Sequence, residues 1–393
     1  MHRMLLLTAA LAAPLAAEAA TFGPEPLIWS HRGSSYLARE NTLPAFELSA
    51  QQGADGFELD LFLTADNQLA VFHDPDLNRL TNVEDAFPLS RARDTDGDST
   101  PDTWFIADFT MDELRTLEID NDSRPGRVAL QADPRNPAPQ PSAYRIPTYA
   151  EALDLAEALG QKVLTEVKLT DAGDAAERAA VQDLLIAEWQ SRGYTDGSSP
   201  VVVQAFSDIF MSEIDAKLGG TNLHVPTVQL NFDAAAREVL ATNDPSLYVP
   251  SQEALEQIIG ERYGDLDGIA VILDVLLGTR GFSDLLNPLG LDFIAAADAN
   301  GLDIYAWTFR IDDGVDDPAA TADAYFDALE TGDLSPYYEP YLELFARGLD
   351  GVITDNPDIA RAARDAFLAP VPLPATVWLL GAGVLALSLR RRR

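Results

Sequence analysis

Residues 56–64 read GFELDLFLT, and this stretch decides the fold. Side chains in a β-strand alternate between its two faces, so Glu58 and Asp60 share one face and the apolar residues around them share the other. Such an apolar frame is typical of a strand that is covered on both sides in a parallel sheet. The stretch therefore predicts a buried strand whose two carboxylates point into the same space.

Short apolar runs of this kind recur along the chain, and they alternate with helical patterns. The predicted strands are residues 26–33, 56–64, 163–168, 201–206, 227–230, 268–273, 303–309 and 351–354. The predicted helices, with apolar residues three and four positions apart, include residues 43–52, 148–159, 175–192 and 251–259. Alternating strands and helices predict a parallel sheet covered by helices, and eight strands are the number in a TIM (β/α)8 barrel. An open doubly wound sheet shares the alternation, and the strand count favours the barrel.

Two polar segments interrupt this rhythm. Residues 74–144 are rich in Asp, Pro and Asn, and residues 312–337 are acidic. Neither segment shows a core of its own, so we interpret both as elaborated loops. The prediction is one α/β domain over residues 21–370, with a loop insertion after the second strand at about residues 75–145.

Composition excludes several classes of function. The 393 residues include 27 Lys and Arg against 63 Asp and Glu, which gives a net charge of −36. This acidity argues against non-specific binding to nucleic acid or anionic lipid, because polyanions are repelled. The chain has no cysteine, which excludes disulfides, zinc–thiolate sites, iron–sulfur clusters and thiol nucleophiles. The hydrophobic fraction of 47% excludes a wholly disordered chain.

The N-terminal residues 1–20 have the pattern of a secretory signal peptide. A basic residue, Arg3, precedes an apolar stretch, and small residues follow at 17–20. A first buried helix is the alternative, but the helix-breaking residues Gly23 and Pro24 come immediately afterwards.

The C-terminal residues 371–393 begin with VPLPA, continue as an apolar run and end in four arginines. The run is shorter than the roughly 17–25 residues that span a bilayer. This order resembles the VPEP/VPLPA class of sorting signals that exosortases process in Gram-negative bacteria, and a short membrane anchor is the alternative. We therefore expect export to the periplasm, the cell surface or the extracellular matrix, with an exosortase-type enzyme as processing partner or with membrane anchoring through this segment.

Two of the four histidines lie where a barrel would place an active site. His31 is near the end of the first predicted strand, and His73 closes a short apolar run after the second, whereas His224 lies in a loop without acidic neighbours. Barrel enzymes hold their active sites at the C-terminal ends of the strands, and imidazole transfers protons near neutral pH. We therefore predict that His31 and His73 act as paired acid–base groups. A structural histidine is the alternative for either one alone.

The third predicted strand repeats the spacing of the second. Glu166 and Lys168 lie two residues apart, as Glu58 and Asp60 do, and so bring a third carboxylate to the same end. Carboxylates in an apolar site repel one another unless a cation joins them. Oxygen-only ligands suit Ca²⁺ or Mg²⁺. We predict one divalent cation at Glu58, Asp60 and Glu166; the alternative is a structural network in which Lys168 pairs with Glu58 or Glu166.

An aspartate-rich stretch lies within the predicted insertion. Residues 94–102 read DTDGDSTPD and resemble the calcium loops of thrombospondin type 3 repeats. The stretch is not an EF-hand, because Ser99 replaces the required glycine and Phe105 replaces the closing glutamate. A second, structural calcium and a solvated acidic turn are both compatible with this pattern. The candidate ligands are Asp94, Asp96, Asp98 and Asp102.

A set of short motifs follows in a fixed order along residues 27–360. They are HRG at 31–33, ENT at 40–42, GAD at 53–55, ELD at 58–60, VFHD at 71–74, DFT at 108–110, RIPT at 145–148, EVK at 166–168, QAF at 204–206, AWT at 306–308 and TDNP at 354–357. The ordered set resembles the glycerophosphodiester phosphodiesterases. The DFT and RIPT segments resemble the exported, calcium-using branch of that family.

This resemblance implies a role for each matching residue. It implies that the cation is held by Glu58, Asp60 and Glu166, with Ca²⁺ favoured over Mg²⁺. It implies that His31 and His73 are general acid and base, and it leaves open which is which. The implied substrate-binding residues are Arg32 and Lys168 at the phosphate, Glu40 and Asn41 at the mouth of the site, and Trp307 beside the glycerol.

The predicted function is hydrolysis of glycerophosphodiesters to sn-glycerol 3-phosphate and an alcohol by an exported, metal-dependent phosphodiesterase. One alternative is a related barrel phosphodiesterase that acts on intact phospholipids, which the acidic composition disfavours because interfacial enzymes use apolar or basic loops. Another is a non-catalytic, calcium-stabilised surface or matrix protein, which the aspartate-rich loop and the tail favour. The expected ligand is a small molecule, and no nucleic-acid partner is expected.

Overall fold

Eight parallel strands close into a barrel in the computed structural model of this chain, which confirms the predicted fold. The structure describes residues 25–119, 127, 131, 133–138, 144–170, 174–195, 199–230, 251–277, 291–312 and 317–369. The predicted signal peptide and the predicted sorting segment lie outside the described residues.

The strands follow one another around the ring in chain order. The barrel strands are β1 (Leu27–Ser30), β2 (Gly56–Leu63), β4 (Lys162–Val167), β5 (Val201–Ala205), β6 (Thr227–Leu230), β7 (Gly268–Ile272), β8 (Asp303–Phe309) and β9 (Gly351–Thr354). A short strand, β3 (Leu69–Val71), pairs antiparallel with β2 outside the ring. Pairing of β1 with both β2 and β9 closes the barrel.

Helices lie between the strands and cover the outside of the barrel. The described helices are α1 (Leu43–Gln51), α2 (Val83–Ala86), α3 (Met111–Leu114), α4 (Tyr149–Leu159), α5 (Ala175–Arg192), α6 (Asp208–Leu218), α7 (Gln252–Tyr263), α8 (Leu273–Leu277), α9 (Phe293–Ala299), α10 (Pro318–Thr331), α11 (Glu339–Ala346) and α12 (Pro357–Leu368). Side-chain caps explain several of their starts. At α4, for example, the Thr148 hydroxyl accepts the Glu151 N–H and the Glu151 carboxylate accepts the Thr148 N–H.

The two faces of β2 contact different parts of the core. Phe57, Leu59 and Leu61 pack outward in a cluster that includes side chains of α1, α4 and α5. A second cluster of alternate residues from other strands fills the barrel interior: Leu27, Trp29, Leu164, Val202, Val228, Leu230, Ala270, Tyr305 and Ile353. Because successive side chains alternate, Glu58 and Asp60 point inward, as predicted.

The segment between β3 and α4 contributes more to the core than its polar composition indicates. Leu77, Trp104, Ile106 and Phe109 are at most 2% exposed and belong to the same cluster as Ile28 of β1. We predicted a loop without a core of its own. These described residues pack into the same core as the barrel strand β1, whereas Leu89 of the same segment is 58% exposed.

The prediction of a loop over residues 312–337 is wrong. Residues Pro318–Thr331 form the 14-residue helix α10. Tyr325, Phe326 and Leu329 pack against the core at helical spacing, while Asp323 and Asp327 are exposed. The acidic outer face hides this apolar stripe when the segment is judged by composition alone.

Candidate active site

A small cavity of about 80 Å³ opens where the barrel strands end. Its lining residues are His31, Arg32, Glu58, His73, Glu166, Lys168, Gln204, Phe206, Leu230, Trp307, Thr308, Arg310 and Ile353. The cavity thus brings together both predicted acid–base histidines, two of the three predicted metal ligands and three of the predicted substrate-binding residues.

The parallel register explains why three carboxylates meet. Asp60 of β2 lies opposite Glu166 of β4, and Glu58 precedes Asp60 by two residues on the same face. One carboxylate oxygen from each of the three lies within 4.8 Å of the others. All three side chains are buried, with residue exposures of 1% for Glu58, 0% for Asp60 and 6% for Glu166.

Neighbouring groups satisfy only part of this cluster. The Arg32 N–H donates to Glu58 Oε2 at 2.8 Å, and Asn41 Nδ2 donates to Asp60 Oδ2 at 2.7 Å. Lys168 forms an ion pair with Glu166, as the structural alternative predicts, and lies 3.3 Å from Asp60 Oδ1. Glu58 Oε1 is buried without a hydrogen-bond partner. The Lys168 network therefore leaves Glu58 Oε1 without a donor, and Asp60 Oδ1 and Glu166 Oε1 have only their ion pairs with Lys168.

Burial and mutual repulsion shape the protonation of the cluster. Burial raises the pKa of Glu58 well above its ordinary value, and the charges of Asp60 and Glu166 add to the rise. Burial also raises the pKa of Glu166 to about 7. For Asp60, burial is outweighed by the nearby cations, first among them Lys168, which lower its pKa. A cluster of oxygen donors with excess negative charge and an unpartnered acceptor fits a hard divalent cation.

A tight turn after β1 brings Arg32 to this cluster. Arg32 and Gly33 both have left-handed backbone conformations, with φ values of 57° and 83°. A Cβ atom on residue 33 would lie 2.7 Å from the backbone carbon of Ala45, so only glycine fits here. The turn directs the Arg32 guanidinium toward Glu40 at 2.8 Å and Asp60 at 3.3 Å.

His31 is held by a carboxylate at the end of the last strand. His31 Nδ1 lies 2.6 Å from Asp355 Oδ1, and Asp355 is fully buried. Burial lowers the pKa of His31 to about 3, and the charge of Arg32 adds to the effect. The imidazole is therefore neutral at pH 7. With Nδ1 held by Asp355, Nε2 is the ring nitrogen left for chemistry in the cavity.

His73 has the same kind of partner. Its Nδ1 lies 2.5 Å from Asp74 Oδ1, and burial lowers its pKa below the ordinary value. Arg79 forms ion pairs with Asp74 and with Glu40, so the carboxylate that orients His73 is itself held in place. Both imidazoles of the cavity are thus fixed at Nδ1 by an aspartate.

Glu40 and Asn41 lie behind the cavity, which differs from the expected place at its mouth. Neither residue lines the cavity, and their exposures are 2% and 0%. Glu40 bridges Arg32 and Arg79, and Asn41 donates to Asp60. Glu40 thus contacts Arg32 of the cavity lining, and Asn41 contacts Asp60 of the carboxylate cluster.

Aromatic side chains also line the cavity. The rings of Phe206 and Trp307 meet edge to face at 5.7 Å between centroids, and Lys168 Nζ lies 5.3 Å from the Phe206 centroid. Trp307 Nε1 donates to the Ala270 carbonyl at 3.1 Å. Trp307 therefore packs against the barrel core and lines the cavity at the same time.

Sequence reasoning assigned no role to several residues that contact the site. Asp74 and Asp355 lie within quoted motifs, directly after His73 and after the last strand, and this position is the signal that points to them. Gln204 follows from the register, since it lies opposite Glu166. Arg310 follows β8, whereas Arg127 lies in the insertion and has no local signal.

The aspartate-rich loop is only partly assembled as predicted. Asp94, Asp96 and Asp98 are exposed and offer oxygens within 4.8 Å of one another, and Asp102 is not part of this group. Their carboxylates accept backbone N–H groups of the same loop, such as Gly97 N at 2.7 Å from Asp94 Oδ1. A structural calcium at this loop stays a prediction, with three candidate ligands.

Comparison with known proteins identifies the tail. Residues 370–393 match the PEP-CTERM protein-sorting motif, which confirms the resemblance predicted for this segment. Among the described residues, which do not include that tail, no helix has the length and apolar character needed to cross a membrane.

Curated relatives match parts of the chain. A glycerophosphodiester phosphodiesterase of Haemophilus influenzae is 31% identical over 145 residues, which are 35% of this chain and 38% of the relative. One of Caldanaerobacter subterraneus is 37% identical over 92 residues, which are 23% of this chain and 30% of the relative. The matched stretches thus span well under two thirds of these relatives.

Solved structures share the fold over most of the chain. A protein of Silicibacter pomeroyi superposes with a TM-score of 0.57 at 20% identity and covers 88% of this chain and 96% of its own. A phosphodiesterase of Oleispira antarctica, in complex with the product sn-glycerol-3-phosphate, superposes with a TM-score of 0.52 at 19% identity. The superposition covers 88% of this chain and 99% of the Oleispira antarctica chain.

The family model decides the wider relationship. The Glycerophosphoryl diester phosphodiesterase family model matches residues 31–359, which begin at the first predicted acid–base histidine and extend into the last helix, α12. This range includes the cavity, the carboxylate cluster and both His–Asp pairs. The chain therefore belongs to the glycerophosphoryl diester phosphodiesterase family.

Proposed function

We propose that this chain is an exported, metal-dependent phosphodiesterase that hydrolyses glycerophosphodiesters to sn-glycerol 3-phosphate and an alcohol. The observation that carries the proposal is the cavity itself, in which two imidazoles fixed at Nδ1 face a cluster of three buried carboxylates. A non-catalytic surface protein would have no need for buried like charges, which are costly in an apolar site.

Glu58, Asp60 and Glu166 would hold one divalent cation, with Ca²⁺ favoured over Mg²⁺. Their unpartnered and repelling oxygens support this assignment. Such a cation, when bound, supplies positive charge that stabilises the developing charge on phosphoryl oxygens. Asn41 and the Arg32 N–H keep the carboxylates oriented through their second oxygens.

His31 and His73 would transfer the two protons of the reaction. One removes a proton from the nucleophile, which is water or the neighbouring glycerol hydroxyl, and the other protonates the leaving alcohol. Both imidazoles have lowered pKa values and start neutral at pH 7. The negative charge of a bound diester favours imidazolium, so substrate binding itself promotes formation of the general acid.

Cationic and aromatic side chains would bind the substrate. Arg32 and Lys168 line the cavity and would contact the phosphate. Lys168 pairs with Glu166 at the cavity wall, where its ammonium would be within reach of a bound phosphate. Trp307 and Phe206 would form a wall beside the glycerol, where C–H groups pack on the rings.

The sorting motif supports export as part of the proposal. The match of residues 370–393 to a PEP-CTERM motif favours passage across the inner membrane and processing by an exosortase-type enzyme. The net charge of −36 favours a soluble diester over a lipid surface as substrate.

The direct test is an assay of the purified protein with glycerophosphocholine and Ca²⁺ or Mg²⁺, in which release of sn-glycerol 3-phosphate is measured. We expect His31→Ala and His73→Ala each to lower kcat by about 10²-fold or more, because each removes one proton-transfer group. His224→Ala is the matched control, since His224 is exposed in a loop remote from the cavity lining, and it should retain full activity.

Three outcomes would contradict parts of the proposal. If both cavity variants retain full activity, the acid–base assignment is wrong. If the metal-loaded wild type raises its Tm with calcium but hydrolyses no diester, the protein is a calcium-stabilised surface protein. Faster turnover of micellar phospholipid than of the deacylated diester would favour the lipid-directed alternative.

A further inference from the structure

Arg127 is a buried cation that belongs to the inserted segment rather than to the barrel. Its side chain is only 1% exposed. Its guanidinium contacts Asp312 at 3.0 Å through Nε, donates to the Ser35 carbonyl at 3.1 Å and forms an ion pair with Asp355. One side chain thus connects the insertion with the β1–α1 loop and with the ends of β8 and β9.

Neighbouring residues of the insertion bind the same loop. Gln131 Nε2 donates to the Ala38 carbonyl at 3.1 Å, and Asn136 Nδ2 donates to the Leu37 carbonyl at 2.8 Å. With the contact of Arg127 to Ser35, three carbonyls within four residues accept side-chain donors from the insertion. Buried carbonyls need such partners, so the loop between His31 and Asn41 depends on this segment for its position.

The two oxygens of Asp355 have different partners. Oδ1 lies 2.6 Å from His31 Nδ1, whereas Oδ2 pairs with Arg127 and lies 3.0 Å from Arg310 Nε. Arg310 lines the cavity and its side chain is 30% exposed, so it is the less constrained of the two cations. Arg127 is itself buried and is also held by Asp312 and by the Ser35 carbonyl, so it is the more constrained partner of the Asp355 carboxylate.

We propose that Arg127 is a positioning residue for His31, acting through Asp355. Arg127 fixes the carboxylate plane so that Oδ1 meets Nδ1–H and the Nε2 atom of His31 faces the cavity. In this way the inserted segment contributes, through Arg127, to the orientation of His31. The expected change in kcat rests on the proposed phosphodiesterase function, whereas the expected change in the His31 tautomer does not.

The test compares Arg127→Met with wild type by kinetics and by NMR of the purified, calcium-loaded protein labelled with ¹⁵N-histidine. We expect kcat to fall by about tenfold or more with KM changed less than about twofold, as is common when a partner that orients a reacting group is lost. The ¹⁵N signals should show a single Nδ1–H tautomer of His31 in wild type and a mixture in the variant. The His73 signals should not change.

Arg135→Met is the matched control. Arg135 also lies in the insertion and forms ion pairs, with Asp133 and Asp323, but it is a third exposed and contacts no cavity residue. This variant should keep wild-type kcat and wild-type His31 signals. Arg127→Lys, which keeps the charge but loses the forked geometry, should recover part of the lost kcat.

An unchanged His31 tautomer and kcat in Arg127→Met, with only a lower Tm, would overturn the proposal in favour of a merely structural role. Should that variant not fold, Asp312→Asn loosens Arg127 from its other side and decides the question by the same two measurements. If wild type hydrolyses no diester, the proposed function fails, and the NMR comparison still decides whether Arg127 positions His31.

Discussion

Glu58 is a buried carboxylate that is unfavourable in the metal-free protein and that supports the assignment of a cation site. It is 1% exposed, one of its oxygens accepts the Arg32 N–H, and the other has no partner. Its pKa is raised by burial and by the charges of two neighbouring acids. The same charge that destabilises the empty cluster would attract a divalent ion.

Removal of the Glu58 carboxylate should therefore affect stability with opposite sign in the metal-free and the calcium-bound protein. For Glu58→Gln we expect a metal-free protein at least as stable as wild type, because a neutral amide replaces a buried acid whose ionisation is unfavourable. Calcium at one hundred times its Kd should stabilise wild type by about 2.7 kcal/mol and the variant far less. The measurement is the Tm with EDTA and with calcium. Glu47→Gln, at an exposed position of α1, should behave like wild type, and an equal calcium effect in both variants would refute the assignment.

At the residue scale, local patterns reach only part of the site. The alternation in residues 56–64 predicts that Glu58 and Asp60 face the same way, and they do. The aspartates that hold His31 and His73 are visible only as neighbours within motifs. Arg127 is beyond any local pattern, because its partners Asp312 and Asp355 lie 185 and 228 positions away along the chain.

At the scale of elements, the turn between β1 and α1 positions two residues of the site. It places His31 and Arg32 at the cavity, and it then passes so close to α1 that a side chain at residue 33 would overlap the backbone of Ala45. Strand β1 and helix α1 are therefore joined by a geometry that tolerates glycine alone at this point.

Gly33→Ala should lower the free energy of unfolding by more than the roughly 1–2 kcal/mol that an L-residue in the left-handed conformation costs. It should also lower kcat, because it displaces His31. Gly193→Ala provides the control, since Gly193 also has a positive φ, of 73°, but nothing lies within 4 Å of an added Cβ. Urea unfolding of the two variants separates backbone strain from steric overlap. Equal losses of stability would show that the contact with Ala45 is unimportant.

Three strands and one helix have the bounds that the sequence pattern predicts. The bounds predicted for β6, β8, β9 and α5 coincide with those in the structure. Helix α10 was missed because its apolar stripe is narrow and its outer face is acidic. The other strand ends differ by one residue, except the end of β1, which differs by three, since hydrogen bonding rather than hydrophobicity ends a strand.

At the scale of the whole molecule, surface charge opposes the local chemistry. The chain has 63 acidic against 27 basic residues, yet Arg32, Lys168 and Arg310 line the cavity. An anionic substrate is therefore repelled by the molecule at long range and attracted at short range. Salt screens the long-range repulsion more than the attraction in the cavity, because the cavity contacts lie within a few ångströms.

We accordingly expect kcat/KM for a singly anionic diester, such as glycerophosphoglycerol, to rise about twofold or more when ionic strength increases from about 10 to about 150 mM, as the Debye length shortens from roughly 30 to roughly 8 Å. The zwitterion glycerophosphocholine has no net charge and serves as the control, with little change. Initial rates at subsaturating substrate provide the measurement. A fall for the anionic diester would mean that cavity cations dominate at long range.

The hydrogen bond between His31 and Asp355 joins residues 324 positions apart, at the seam where the first strand meets the last. A nascent chain lacks one half of this pair until nearly the entire polypeptide has been made. The contact that fixes His31 in the cavity can therefore form only when nearly all of the chain is present. If the chain is the exported phosphodiesterase proposed above, truncated copies that end before residue 355 would lack the aspartate that orients His31.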